Sequence, residues 1–250
     1  MSDLVQLTVQ PSGAAQITIH RPERHNAMTQ GMYESLLDCI AECGRNPAVR
    51  AILFRGAGGK SFISGTDIAH FADFQRGEQG IAYEAFVEKV IDTVERIHVP
   101  TIAVIDGWAV GGGLALATAC DFRLCTSGSR FGAPIAKTLS NTLSSRNIAR
   151  LQAALGVPRV KKMLLLAEYL DATEAVNCGF VYEACPAELL TERANALAAR
   201  LIELSGVTQH AVKESLRRIV IEHSLEDADL VHAVYASDAF HQGVARFLKR

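Results

Sequence analysis

The chain has 250 residues, 49% of them hydrophobic and 21% charged, which is enough apolar material for one or two folded domains and is the composition of a globular rather than a disordered chain. With 25 basic against 27 acidic residues the formal net charge is -2, so electrostatics give no reason to expect a nucleic-acid or membrane partner. No apolar run reaches the roughly 18 to 20 residues that cross a bilayer, and the start lacks the basic and apolar segments of a signal peptide; together these predict a cytoplasmic protein.

Residues 4–10 and 13–22 alternate apolar and polar side chains around Pro11-Ser12-Gly13, the signature of two opening strands. From Thr29 to Cys43 the spacing of Met32, Leu36, Cys39, Ile40 and Cys43 predicts a helix, with Thr29 as N-cap and Gly44 as the stop. Val49 to Arg55 reads as a buried strand, and Gly56 to Asp67 as a glycine-rich loop. A helix over about Gly80 to Ile97 follows, ended by Pro100, then a strand from Thr101 to Asp106. Gly107 to Cys120 reads as a glycine-rich turn entering a helix, the next segment as a strand, and everything from Leu143 as chiefly helical. The order predicts one α/β core with a helical C-terminal extension. The six cysteines form no CxxC pair and no zinc-like Cys/His spacing, so buried free thiols are expected.

Gly56 to Ser61 (GAGGKS) suggests a phosphate-binding loop, but the full pattern needs glycine where Phe54 stands, and no GxGxxG pattern surrounds Gly111 to Gly113. The turns Phe62 to Ile68 and Gly107 to Ala117 each follow a strand, at the end where α/β sheets place their ligands. Small residues there let a ligand approach the main chain, and helix-start N–H groups can donate to developing negative charge. Tight helix packing explains the triple glycine equally well.

Four segments occur in the order of one family over almost the whole chain: RPERHNAM (Arg21 to Met28), GGKSFISGTDI (Gly58 to Ile68), PTIAVIDGWAVGGGLALATACD (Pro100 to Asp121) and FHQGVARFLKR (Phe240 to Arg250). In these the chain resembles the crotonase (enoyl-CoA hydratase/isomerase) superfamily. The resemblance implies a ββα spiral core over residues 1–190, a C-terminal helical oligomerisation region over 191–250, and a homotrimer or dimer of trimers. It implies an acyl-CoA thioester as substrate, with coenzyme A entering as part of it, and no tightly bound cofactor or metal. The oxyanion hole, two backbone N–H groups on the thioester oxygen, is carried over onto Ser64 and Gly112. A CoA pocket is implied at Arg24 to Ala27 and at Thr66, Asp67 and Ile68, completed by Phe247 and Lys249 of a neighbouring subunit.

The sequence departs from the family where a hydratase keeps two glutamates, since those positions hold Ala115 and Ile135, the latter replaced by Ala136 if a one-residue gap is placed differently. Neither side chain titrates, so hydratase activity is in doubt. Within Lys137 to Asn147, Thr138, Ser140 and Asn141 are expected to orient substrate or water, or else to serve turn and cap hydrogen bonds. His70, Glu84 and Glu88 are further acid or base candidates, with a surface position the expected place of each. Asp121 is expected to be structural. The rivals to a hydratase are an isomerase, dehydratase or thioester hydrolase using other residues, and a non-catalytic acyl-CoA-binding subunit.

Overall fold

Alternation and apolar runs set the first turn of the chain. In the computed structural model, which describes residues 4–249, β1 (Val5–Val9) and β2 (Ala14–Ile19) pair antiparallel with Val9 opposite Ala15. Met1 to Asp3 and Arg250, the outer ends of the two expected regions, lie outside the described residues. Helix α1 (Gln30–Arg45) starts on Thr29, whose hydroxyl accepts the Met32 N–H at 3.3 Å. It does not stop at Gly44. That residue keeps a negative φ inside the helix, and Asn46 forms the C-cap.

Three successive turns then repeat one pattern. Strand β3 (Ala51–Gly56) is followed by the short β4 (Ser61–Ile63) and α2 (Gly77–Glu95); β5 (Thr101–Ile105) by β6 (Trp108–Val110) and α3 (Gly112–Ala119); β7 (Phe122–Thr126) by β8 (Arg130–Gly132) and α4 (Ser145–Leu155). The long strands join a six-stranded sheet ordered β1-β2-β3-β5-β7-β10, where β10 is Glu183–Cys185. The short ones form a second sheet ordered β4-β6-β8-β9, where β9 is Leu170–Asp171. This is an α/β ββα spiral. The sequence reading took β4 and β6 for glycine-rich loop and left out β8, β9 and β10, because strands of two or three residues carry no period to detect.

Helices α5 (Val157–Leu165) and α6 (Ala172–Asn177) separate α4 from β10. Helix α7 (Leu190–Ile202) lays Leu190, Ala194, Leu197, Ala198 and Leu201 on the face of the main sheet that shows Leu53, Ile102 and Val104. The larger core lies on the other face, where α1, α2 and α3 bury Leu36, Val90 and Leu116 at no more than 1% exposure. Helices α8 (Gly206–Arg217), α9 (Ala228–Tyr235) and α10 (Asp238–Phe247) follow. Asp121 is structural, as expected. Its Oδ2 accepts from the Thr101 N–H and hydroxyl at 2.7 and 2.9 Å and pairs with Lys213 of α8 at 2.6 Å. All six cysteines are free thiols, five of them buried and Cys178 half-buried.

Candidate active site

The second sheet sets two turns side by side. After β4 the Ser64 N–H donates to the His25 carbonyl at 3.2 Å, and Gly65 takes a φ of +110°, a region that only glycine enters without strain. Met28 then forms a parallel bridge with Thr66, donating to the Gly65 carbonyl and accepting from the Asp67 N–H, both at 2.8 Å. In such a bridge the bonds go to the neighbours of the bridged residue, so its own N–H faces the opposite way. The Thr66 N–H has no partner among the described residues.

In the other turn Gly111 has a φ of +54° and donates to the Gly132 carbonyl at 2.9 Å, which leads β6 into α3. Gly112, the first residue of α3, has an N–H that the helix cannot satisfy. A Cβ on Gly65 would lie 3.9 Å from the Gly112 nitrogen, and one on Gly112 would lie 3.9 Å from Thr66 Oγ1. The turns therefore abut through Gly65, Thr66 and Gly112. The Ser64 N–H, onto which the family pattern was carried over, is engaged within the chain, whereas the Thr66 N–H two residues further on is unpartnered among the described residues. Gly113 serves packing instead, since a Cβ there would collide with the Ile63 carbonyl.

Two tyrosines that the sequence reading missed reach this point. Tyr33 of α1, 2% exposed, puts its Oη 2.9 Å from Thr66 Oγ1, and Tyr83 of α2 puts its own 2.6 Å from the same atom. The Tyr33 hydroxyl also lies 2.7 Å from where a Gly112 Cβ would sit. Phe86 stands edge-on to Tyr33 at 5.9 Å and Phe71 edge-on to Tyr83 at 4.8 Å, which fixes both rings. Burial pushes the Tyr83 phenol up to about 12 and that of Tyr33 further still, so both stay protonated at neutral pH. A tyrosine on the buried face of a helix needs a partner for its hydroxyl, and that was the available signal.

Ala115, 5% exposed and one turn into α3, and the half-buried Ile135 supply no proton at this site. The expected surface position fails for Glu84 and Glu88. Both are half-buried because α2 lies across the N-terminus of α4, where Ser144 donates its N–H to Glu84 at 2.8 Å and its hydroxyl to Glu88 at 3.1 Å. Glu88 is bound by Arg150 at 2.8 Å. Burial raises the Glu84 pKa above its ordinary value, with the Ser144 N–H opposing, and its charge acts on both tyrosines. His70 is partly exposed and stacks on Tyr83 with ring centroids 5.4 Å apart.

The structure brings the loop Arg24 to Ala27 against Thr66 to Ile68 through the Met28 bridge. Arg21 clamps the two, donating to the Ala27 carbonyl at 3.0 Å and pairing with Asp67 at 2.6 Å, and that hydrogen bond, ahead of the Ala69 N–H, lowers the Asp67 pKa. Arg24 is exposed and Ile68 is 62% exposed, whereas the side-chain oxygens of Thr66 and Asp67 are taken up within the protein. Thr138, Ser140 and Asn141 are exposed. Thr138 returns its hydroxyl to the Pro134 carbonyl at 3.0 Å, and no contact among the described residues joins Thr138 or Asn141 to either turn. Phe247, at the end of α10, and Lys249 just beyond it are exposed and meet no residue of the Arg24 loop in their own chain.

Known proteins similar to this chain point to one family. A family model described as enoyl-CoA hydratase/isomerase matches residues 10–250. A crotonyl-CoA hydratase from Syntrophomonas wolfei is 28% identical over 240 residues, covering 94% of this chain and 92% of the relative. A short-chain-enoyl-CoA hydratase from Clostridium acetobutylicum is 29% identical over 204 residues, covering 82% and 77%. The crystal structure of an enoyl-CoA hydratase/carnithine racemase from Magnetospirillum magneticum superposes with a TM-score of 0.89 at 28% identity, covering 100% of this chain and 94% of that one.

Proposed function

The chain belongs to the enoyl-CoA hydratase/isomerase family, and on that premise we propose that it moves a proton beside the carbonyl of an acyl-CoA thioester, holding the carbonyl oxygen between the Thr66 and Gly112 N–H groups. The observation that carries this is the pair of unpartnered donors on two abutting turns. Taking a proton from the carbon next to a thioester places negative charge on its oxygen, and fixed donors stabilise that charge without having to reorganise. Coenzyme A comes with the substrate. Arg24 reaches its phosphates, Ala27 and the Thr66 to Ile68 backbone flank the adenine, and Phe247 and Lys249 approach from a neighbouring subunit. Thr138 and Asn141 orient the acyl chain, since neither titrates near neutral pH.

The reaction favoured is isomerisation. Hydration needs two groups, one to activate water and one to protonate carbon, whereas shifting a double bond needs a single group that takes a proton from one carbon and returns it to another. Glu84 is that group in this reading, supported by its half-buried place on α2, its raised pKa and the action of its charge on both tyrosines. Calorimetry with a non-hydrolysable acyl-CoA tests the core of the proposal. Binding is expected, weakened roughly tenfold in Gly112→Ala, whose methyl would meet the Tyr33 hydroxyl. Heat with ATP and none with acyl-CoA refutes it.

Assembly is part of the same reading. Leu216, Ile219, Leu225 and Tyr235 of the C-terminal region are 47% to 82% exposed, and Leu204, Val212 and Leu216 border an apolar groove of about 780 Å³ between α8 and the core. Such surface on one chain supports burial against further copies. Light scattering is expected to give three or six times the 27.0 kDa chain mass. A monomer that persists at all concentrations contradicts it.

A further inference from the structure

The geometry points to a side-chain donor in the oxyanion hole: we propose that the hydroxyl chain Tyr83, Thr66, Tyr33 delivers an O–H to the same thioester oxygen that the two backbone N–H groups hold. The inference rests on reading Thr66 and Gly112 as the hole, and it adds what that reading does not require. Three hydroxyls carry three protons, and the chain contains two hydrogen bonds, at 2.9 and 2.6 Å. However the donors are assigned, one proton has no acceptor among the described residues.

What accepts that proton decides which way the chain runs. Without ligand the half-buried Tyr83 can pass it to solvent, and every hydroxyl is then satisfied. Tyr33, 2% exposed, ends the chain at Gly112, 2.7 Å from where a Cβ would stand. A thioester oxygen held there supplies a second acceptor, so that Tyr83 accepts from solvent and donates to Thr66, Thr66 donates to Tyr33, and the Tyr33 O–H turns to the substrate beside the unspent helix-start N–H. Hydroxyls linked in this way polarise one another, so the terminal one donates more strongly than an isolated phenol. Both tyrosines remain neutral, which suits a donor and rules them out as the base. The consequence for substrate is a preference for thioesters whose carbonyl gathers charge by conjugation, because a third donor rewards that charge.

The test uses cinnamoyl-CoA, whose absorbance moves to the red when its carbonyl is polarised. The wild-type protein is expected to bind it with a red shift. Tyr33→Phe is expected to keep its melting temperature, bind roughly three- to tenfold more weakly and lose much of the shift. Tyr83→Phe is expected to lose less, since it removes the outer end of the chain. Thr66→Val keeps the backbone N–H and the side-chain volume and decides the matter if Tyr33→Phe fails to fold; it too is expected to lose shift. A full shift in a folded Tyr33→Phe or, failing that, in Thr66→Val overturns the side-chain donor and leaves the acyl-CoA reading intact. Absence of any wild-type binding overturns both.

Discussion

Replacing Arg150 with methionine is expected to lower the melting temperature by roughly 10 °C, more than any single change at the protein surface. Its side chain is 3% exposed, and it binds Glu88 at 2.8 Å and Glu95 at 2.9 Å with Asp92 at 3.8 Å, all on one face of α2. Methionine fills a similar volume and takes the cation from Glu88 and Glu95, while Asp92 keeps only Arg96 at 2.7 Å. Breaking a buried ion pair from one side typically costs about 3 to 5 kcal/mol, and a domain of this length loses about 2 to 4 °C per kcal/mol. The effect has a pH signature. Burial already raises the Glu95 pKa above its ordinary 4.5, and Arg150 is the chief influence holding it down. Without Arg150 the folded-state pKa rises further. A group raised in this way destabilises the fold only while charged, so the penalty is full well above the folded pKa and disappears below the unfolded one. Melting curves at pH 7.5 and pH 5 are expected to show the larger deficit at pH 7.5. A variant melting within 2 °C of wild type, or a deficit that grows on acidification, contradicts the account.

Crotonyl-CoA hydration is expected to run at least about 10²-fold below that of a hydratase with both carboxylates, because a positioned acid or base contributes roughly 10² to 10⁴ in rate. Ala115 is packed one turn inside α3, and Ile135 is held by its N–H to the Ala133 carbonyl at 2.8 Å, so neither position offers a proton. In the proposed reading the N–H pair polarises the enoyl thioester but moves no proton. Loss of the conjugated enoyl absorbance gives the rate directly. Turnover equal to a working hydratase would place the acid and base elsewhere and sink the argument. Isomerisation of a 3-enoyl-CoA, abolished in Glu84→Gln, is the expected positive result, while tight binding with neither reaction would favour a non-catalytic acyl-CoA-binding subunit.

The fold was legible where side chains carry a pattern. The apolar runs of β3 and β5 and the helical spacing of α1 and α2 fixed those elements to within a few residues, because burial on a strand or helix face leaves a period in the sequence. The second sheet left none, being built from strands of three residues or fewer around glycine. The site was legible only in part for a related reason: backbone N–H groups are not written in side chains. Ser64 and Thr66 both follow β4 and differ only in which way their N–H groups point, and that is set by the positive φ of Gly65 between them and by Met28 bonding on either side of Thr66. Glu84 and Glu88 read as surface residues because the helix that covers them, α4, lies some sixty positions further along the chain.

The triple glycine has a consequence for how such chains are recognised. Its third member is dictated by the Ile63 carbonyl pressing on α3, its second by the Tyr33 hydroxyl and its first by a left-handed φ. In the proposed function only the second bears on chemistry. A descendant that lost every reactive group would still be obliged to keep glycine at position 113 in order to fold, so the motif records ancestry and architecture long after activity has gone. Deciding whether a given gene product is an enzyme then falls, in the proposed function, to positions 84, 115 and 135, where a proton-carrying side chain either stands or does not.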